Sequence, residues 1–202
     1  MINIGVLGST NGSDMESVIS SIKSGKIEAK ISVVISNNAD AYILERAKMH
    51  NIEAVFIDLA NKSREVYEQK IIELLESHDI TLILLIGYMR LLSGEFVRKY
   101  KNRIINVHPS LLPAFSGGMD KNVHSDVLKY GVKITGCTVH FVDENTDAGP
   151  IILQKAVAVE DNDTADTLKA RVQKAEREIL PYAVELFVKG KLEVVGRKVY
   201  IK

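Results

Sequence analysis

The stretch Ile104-Ile105-Asn106-Val107-His108-Pro109-Ser110-Leu111-Leu112-Pro113 sets an amide and an imidazole two residues apart. On a strand that spacing turns both side chains to the same side. Pro109 ends the strand at His108, so the pair stands at the strand's carboxyl end, where open parallel sheets bind ligands. An amide donor beside a titratable ring suits chemistry in which negative charge grows on an oxygen while a proton moves. Alone, so short a motif is more often a turn-capping asparagine beside a satisfied core histidine. The rest of the chain shifts that balance.

Three further stretches carry residues with chemical use. Asp147 lies in Asp147-Ala148-Gly149-Pro150, a turn that can hold a carboxylate with little entropy loss. Set beside His108 it would favour the imidazolium form; the competing reading is a solvated turn aspartate next to Asp143 and Glu144. Gly8-Ser9-Thr10-Asn11-Gly12-Ser13-Asp14 follows an N-terminal apolar run and precedes a helical pattern. A turn of small residues there exposes backbone N–H groups at a helix N-terminus, which favours an anion. It lacks the Gly-Lys-Ser/Thr of a Walker loop and the second glycine of G-x-G-x-x-G, and the next strand ends Ser36-Asn37-Asn38 without the acid of a dinucleotide site. A monophosphate cradle fits better, against an ordinary turn with Ser13 or Asp14 as N-cap. Gly87-Tyr88-Met89-Arg90-Leu91-Leu92 would suit a flat, partly apolar ligand, or would simply feed apolar side chains into the core. The five histidines show no metal-binding spacing, and no GxSxG elbow occurs, so Ser110 reads as structural.

The elements that must position these residues follow from periodicity. Apolar, β-rich runs at Ile2–Leu7, Ile31–Ser36, Glu53–Asp58, Thr81–Ile86 and Arg103–Val107 alternate with helical patterns at Ala41–His50, Arg64–Ser77 (capped by Ser63) and from Ser93 to Tyr100. This alternation implies βαβ units and a parallel sheet. After Pro113 come a mobile-loop candidate, Ala114–Lys121, and a short helix, Asn122–Tyr130. Strand patterns at Lys133–Val142 and Ile151–Val159 are joined too directly for a parallel crossover, so they are expected to be antiparallel. Thr164 caps a helix running to Lys189 through Pro181, and Leu192–Val195 with Val199–Ile201 read as a terminal hairpin. The expected fold is α/β: a doubly wound, mostly parallel sheet with antiparallel C-terminal strands, in a single domain over 1–202.

Composition narrows the partners. The 26 basic and 26 acidic residues cancel, and no basic stripe marks a nucleic-acid binder. The longest apolar run, Leu82 to Gly87, is strand-length, so no membrane span is expected. The N-terminus lacks signal-peptide features, and one cysteine, Cys137, in an alternating strand pattern reads as a buried, inert thiol. A cytoplasmic protein is expected.

Together, Gly8–Asp14, Gly87–Leu92, Asn106–Pro113, Val139-His140-Phe141-Val142 and Asp147-Ala148-Gly149-Pro150, in this order and spacing, resemble the folate-dependent phosphoribosylglycinamide formyltransferases over nearly the whole chain. The resemblance implies formyl transfer from 10-formyltetrahydrofolate, the co-substrate, to the amine of glycinamide ribonucleotide, with no metal and no covalent intermediate. It assigns His108 as general acid, Asn106 as the amide that polarises the formyl oxygen, and Asp147 as the carboxylate that keeps the histidine protonated. Gly12, Ser13 and Asp14 fall where the family holds the substrate phosphate, and Gln173 and Glu176 where it meets glycinamide ribonucleotide. Arg64, Met89, Arg90, Leu91 and Leu92 fall at the folate site with Asn106, as does the loop of Asp143, Glu144, Asn145, Thr146 and Asp147. Small-molecule partners and a monomer or homodimer follow. Two departures stand out. Thr10 and Asp14 replace a glycine and an asparagine of the usual Gly-Asn-Gly-Ser-Asn, and Phe115-Ser116-Gly117-Gly118-Met119 lacks the usual proline and is slightly longer. Among the relatives that share this fold, a tRNA formyltransferase is expected to need a further domain and a basic surface, and a formyltetrahydrofolate hydrolase an N-terminal regulatory domain. A sugar N-formyltransferase fits the altered phosphate turn, and a nucleotide-binding module without catalysis would use Gly8–Asp14 alone.

Overall fold

In the computed structural model the chain runs β1 (Ile2–Leu7), α1 (Met15–Lys23), β2 (Ala29–Ser36), α2 (Tyr42–Met49), β3 (Glu53–Phe56), α3 (Arg64–Ser77), β4 (Leu82–Leu85), α4 (Gly94–Lys99), β5 (Ile104–His108), α5 (Asp120–Tyr130), β6 (Ile134–Phe141), β7 (Ile151–Ala158), α6 (Ala165–Val188), β8 (Leu192–Val195) and β9 (Lys198–Ile201). The structure describes residues 1–60, 63–117 and 120–202, without the side chains of 120–122. Gly118 and Met119, part of the loop flagged in the sequence, lie outside the described residues. The chain divides into two compact units, 1–105 and 106–202.

In the first unit the strands lie in the order β3-β2-β1-β4, with parallel pairing of β1 to β2, β1 to β4 and β2 to β3. All four residues of β4 are buried, as a continuous aliphatic run requires of a central strand. Helices α3 and α4 start where the sequence indicates, since Ser63 Oγ accepts from Val66 N and Ser93 Oγ from Phe96 N. Strand β2 begins at Ala29, two residues earlier than expected, because Ala29 and Ile31 are buried on either side of an exposed Lys30. Strand β3 stops at Phe56; Asp58 instead accepts from Ala60 N in a turn.

The second unit carries β6 and β7 in antiparallel register, β7 beside β9 in parallel, and the β8–β9 hairpin closed by Gly196 and Arg197. Helix α6 passes through the buried Pro181 and covers a core of Val123, Val127, Cys137, Val157, Leu168, Val172 and Ala175. Its Thr164 cap is reciprocated by Thr167, and Arg171 forks onto Asp163 at 2.7 and 2.9 Å. That fork holds the Asp163 carboxyl well below the usual carboxylate range. The α/β class, the parallel pairing of the early strands and the antiparallel C-terminal strands agree with expectation.

Candidate active site

Strand β5 delivers Asn106 and His108, and the segment after it is tied down tightly. Thr138 Oγ1 donates to Ser110 O at 2.7 Å and accepts from Leu112 N at 3.0 Å, while Gln154 donates to Leu112 O at 3.0 Å. Ser110 Oγ is spent on Ala114 O at 2.5 Å, the structural role expected of it. His108, 3% exposed, therefore sits on a fixed backbone.

With it the second unit gathers three more polar side chains, Asn106, Asp147 and His140. His108 Nδ1 lies 3.3 Å from Asp147 Oδ2, and its Nε2 lies 3.0 Å from Phe115 O. Both neighbours can only accept, so the ring is satisfied when both nitrogens carry protons. Asp147 also accepts from Gly117 N at 2.8 Å. Asp147 and Phe115 both hold positive φ, 52° and 55°; for a phenylalanine that is an uncommon conformation, of the kind that clusters at functional sites.

The fourth member is His140, which the sequence places in an apolar strand without singling it out. Its Nδ1 lies 2.9 Å from Phe141 O, which must receive a proton, so the neutral ring leaves Nε2 as an acceptor. Asn106 Nδ2 stands 3.2 Å from that Nε2 and donates to it. One amide proton of Asn106 is thereby anchored and the amide plane fixed, and Nδ2 carries a second N–H besides. Burial pushes the His140 ring to lower pKa, against the hydrogen bond to Phe141 O and the nearby Asp147 carboxylate, and so favours the neutral ring. One histidine flanked by acceptors and one held neutral make a division of labour that spacing alone could not reveal.

The other expected positions fall into separate groups. In the second unit Asp143, Glu144, Asn145 and Thr146 form the loop before Asp147, with Asn145 N donating to Asp143 Oδ1 at 2.9 Å in a side-chain-closed turn. Glu176 is 5% exposed on α6, and Gln173 lies one turn earlier, partly buried. In the first unit Gly12 takes φ 70°, which a glycine tolerates, and Ser13 and Asp14 lead into α1. Asp14 occupies the N-cap position in helical geometry and makes no side-chain cap bond, unlike the capping turn weighed against the cradle. Ser9 joins this turn to the segment after β4: Ser9 N donates to Gly87 O at 3.1 Å, and Met89 N donates to Ser9 Oγ at 2.9 Å. That segment is held from α3. Arg64 donates to Leu91 O at 2.6 Å and to Glu68 at 3.2 Å; the buried Glu68 accepts from Ser93 N at 2.8 Å and from Ser93 Oγ. The hydroxyls of Tyr67 and Tyr88 meet at 3.3 Å, and burial raises the pKa of both. Met89, Arg90 and Leu91 remain exposed and Leu92 partly so. Among the described residues no cluster of histidine, cysteine or acidic side chains could hold a metal, and no helix is long and apolar enough to cross a membrane.

The formyl transferase family's sequence model matches residues 2–184. The chain belongs to that family. Phosphoribosylglycinamide formyltransferase of Escherichia coli is 39% identical over 194 residues, 96% of this chain and 90% of that protein. The trifunctional purine biosynthetic protein adenosine-3 of Gallus gallus is 42% identical over 96% of this chain, which spans only 19% of its length. Among solved structures, glycinamide ribonucleotide transformylase 1 from Symbiobacterium toebii superposes with a TM-score of 0.95 at 43% identity, covering 100% of this chain and 94% of that one.

Proposed function

We propose that this chain transfers the formyl group of 10-formyltetrahydrofolate to the amine of 5'-phosphoribosylglycinamide, in purine biosynthesis. The observation that carries the reading is the Asn106–His140–His108–Asp147 cluster in a member of this family: an oriented amide with one N–H to spare, beside a histidine whose two nitrogens face acceptors. The amine nitrogen attacks the formyl carbon, and charge builds on the formyl oxygen. That oxygen takes a hydrogen bond from Asn106 and competes with Phe115 O for the Nε2 proton of His108. Each such donor is worth about 10²–10³ in rate. Asp147 stabilises the imidazolium while the carbon–N10 bond breaks. The proton lost by the amine ends on N10 of the folate, so the products are the formamide and tetrahydrofolate. No step calls for a metal.

By the resemblance, Gly12, Ser13 and Asp14 hold the substrate phosphate, and Gln173 and Glu176 meet the ribonucleotide. Met89, Arg90, Leu91, Leu92 and the 143–147 loop receive the folate. Arg64 and Glu68 brace the 87–93 segment, which supports a folate-site role for Arg64 exerted through Leu91 O. We read the 202 residues as a single formyltransferase domain, cytoplasmic, acting as a monomer or homodimer. The test is a formyl-transfer assay with purified protein and 10-formyltetrahydrofolate, offered glycinamide ribonucleotide, water alone or an amino-sugar nucleotide. Turnover that requires glycinamide ribonucleotide and disappears in His108→Ala is expected. Formate release without any amine would instead indicate a hydrolase, and turnover of the amino sugar alone a changed substrate.

A further inference from the structure

The Gly8–Asp14 turn is shaped from outside by α2. Ile43 N donates to Thr10 O at 3.1 Å, and the fully buried Ile43 side chain fills the space that a side chain at position 12 would need: a Cβ on Gly12 would stand 2.3 Å from Ile43 Cγ1. Three residues on, and so on the same face of the helix, Arg46 grips the turn itself. Its Nε donates to Asn11 O at 2.9 Å and to Asn11 Oδ1 at 3.1 Å, and its Nη2 donates to the same Oδ1 at 2.7 Å. Nη1 is spent on Glu16 Oε1 at 3.1 Å, and the guanidinium lies 4.9 Å over the Tyr42 ring. Glu16 is fixed in turn by His50 Nε2 at 2.8 Å. Burial opposes its ionisation, but the hydrogen bonds from His50 and Arg46 carry its carboxyl below the usual range.

Three of the five N–H donors of Arg46 are engaged by Asn11 and Glu16, and both acceptors belong to the turn or to the helix it leads into. The effect of Arg46 runs through the peptide between Asn11 and Gly12. In a planar trans peptide the N–H of one residue points opposite to the C=O of the residue before it. By holding Asn11 O toward α2, Arg46 turns the Gly12 N–H to the other side, away from α2. Gly12 adopts either sign of φ readily, so without that grip the peptide plane can flip and present a carbonyl oxygen where the N–H had been.

We propose that Arg46 is a positioning residue that holds the Asn11–Gly12 peptide with its N–H presented to the substrate phosphate. The inference rests on reading Gly12–Asp14 as the phosphate cradle. The experiment compares wild type, Arg46→Met and Arg46→Lys by steady-state kinetics, with glycinamide ribonucleotide and with its phosphate-free riboside as amine. Arg46→Met is expected to raise KM for the ribonucleotide about tenfold, the scale of a lost charge-assisted hydrogen bond, with kcat and the folate KM unchanged. The riboside, which has no phosphate to misplace, should be used equally by the variant and the wild type. Arg46→Lys keeps one donor toward Asn11 O and should fall between them; it also serves if the methionine variant does not fold. In a double-mutant cycle, Asn11→Ala should add less to Arg46→Met than it costs the wild type. If the wild type prefers the ribonucleotide and Arg46→Met keeps the full preference, the role of Arg46 is refuted while the cradle stands. A wild type that uses both amines equally removes the cradle itself, and the inference falls with it.

Discussion

Replacing Asp147 by asparagine tests the ion pair at the centre of the site. Asparagine is the informative substitution because position 147 holds φ 52°, a conformation that Asp and Asn tolerate and alanine resists by roughly 1–2 kcal/mol. An asparagine oxygen in place of Oδ2 can still accept from Gly117 N and from a protonated His108 Nδ1, so the backbone and the ring stay in place. What disappears is the charge. At 3.3 Å the attraction between carboxylate and imidazolium is about 5 kcal/mol at an effective dielectric of about 20. The neutral hydrogen bond that remains returns about 1 kcal/mol, and the 12% exposure of the Asp147 side chain allows only slight screening. A net loss of about 3–4 kcal/mol, felt when His108 must be cationic against a growing oxyanion, lowers kcat by about 10²–10³. The KM for glycinamide ribonucleotide should hold, because Asp147 is assigned to His108 and to the folate loop and not to the ribonucleotide. The assay is steady-state formyl transfer with both substrates saturating, with a thermal melt to show that the variant folds as the wild type does. A folded variant whose kcat stays within about threefold of wild type, under about 1 kcal/mol, would refute the ion-pair account.

Three other outcomes follow from the same geometry. Glu68→Ala strips the buried partner from Ser93 N, Ser93 Oγ and Arg64; it should cost about 2–4 kcal/mol in urea unfolding and raise the folate KM without moving that of glycinamide ribonucleotide, whereas Glu68→Gln keeps most of the stability. Gly12→Ala meets both the positive φ and the Ile43 side chain, so it should lose about 1–3 kcal/mol by thermal melt, and a melt like wild type would mean the turn is not packed as described. His78 donates to Leu74 O and to Glu53, and these two acceptors raise its pKa above 6.5; its stabilisation is full below pH 6.5 and is lost as pH rises through the higher folded value. A urea midpoint that falls on that alkaline side in wild type but not in His78→Gln is expected, while the buried, neutral His140 works on the opposite side, removing stability as pH falls below 6.5.

What could be read from the sequence was whatever depends on neighbours along the chain. Ser63 and Ser93 announce their helices because a cap bond closes over three residues. Asn106 and His108 share a face because a strand has a period of two, and Pro109 stops that strand in any context. His140, Glu68 and Arg46 were not legible for one common reason: their partners lie 34, 25 and 35 residues away. A histidine in an apolar strand reads as a core residue until Asn106 is seen against its Nε2. A glutamate and an arginine on amphipathic helices read as solvated faces until a loop is found beneath them. Local grammar gave the reacting groups, while the groups that orient them belong to tertiary structure.

The two departures in the phosphate turn show the same division. In sequence Thr10 is only a missing glycine, and Asp14 a charge set where an anion should sit. In the structure Thr10 Oγ1 lies 2.2 Å from the point a Cβ on Gly87 would occupy, so the bulk added in one loop is accommodated by its absence in the other. Gly87 holds φ 57° as well, which removes the two reasons a larger residue would need at that position: space and a standard backbone. Asp14 is 9% exposed, with Oδ1 buried. A carboxylate turned inward does not meet an anion arriving from solvent, and the N–H groups of Gly12 and Ser13 at the start of α1 are left as the attractive feature of the turn. On the proposed phosphate reading, the burial of the Asp14 side chain lessens the conflict that the residue types suggest, and the cradle depends on the backbone that Ile43 and Arg46 hold in place.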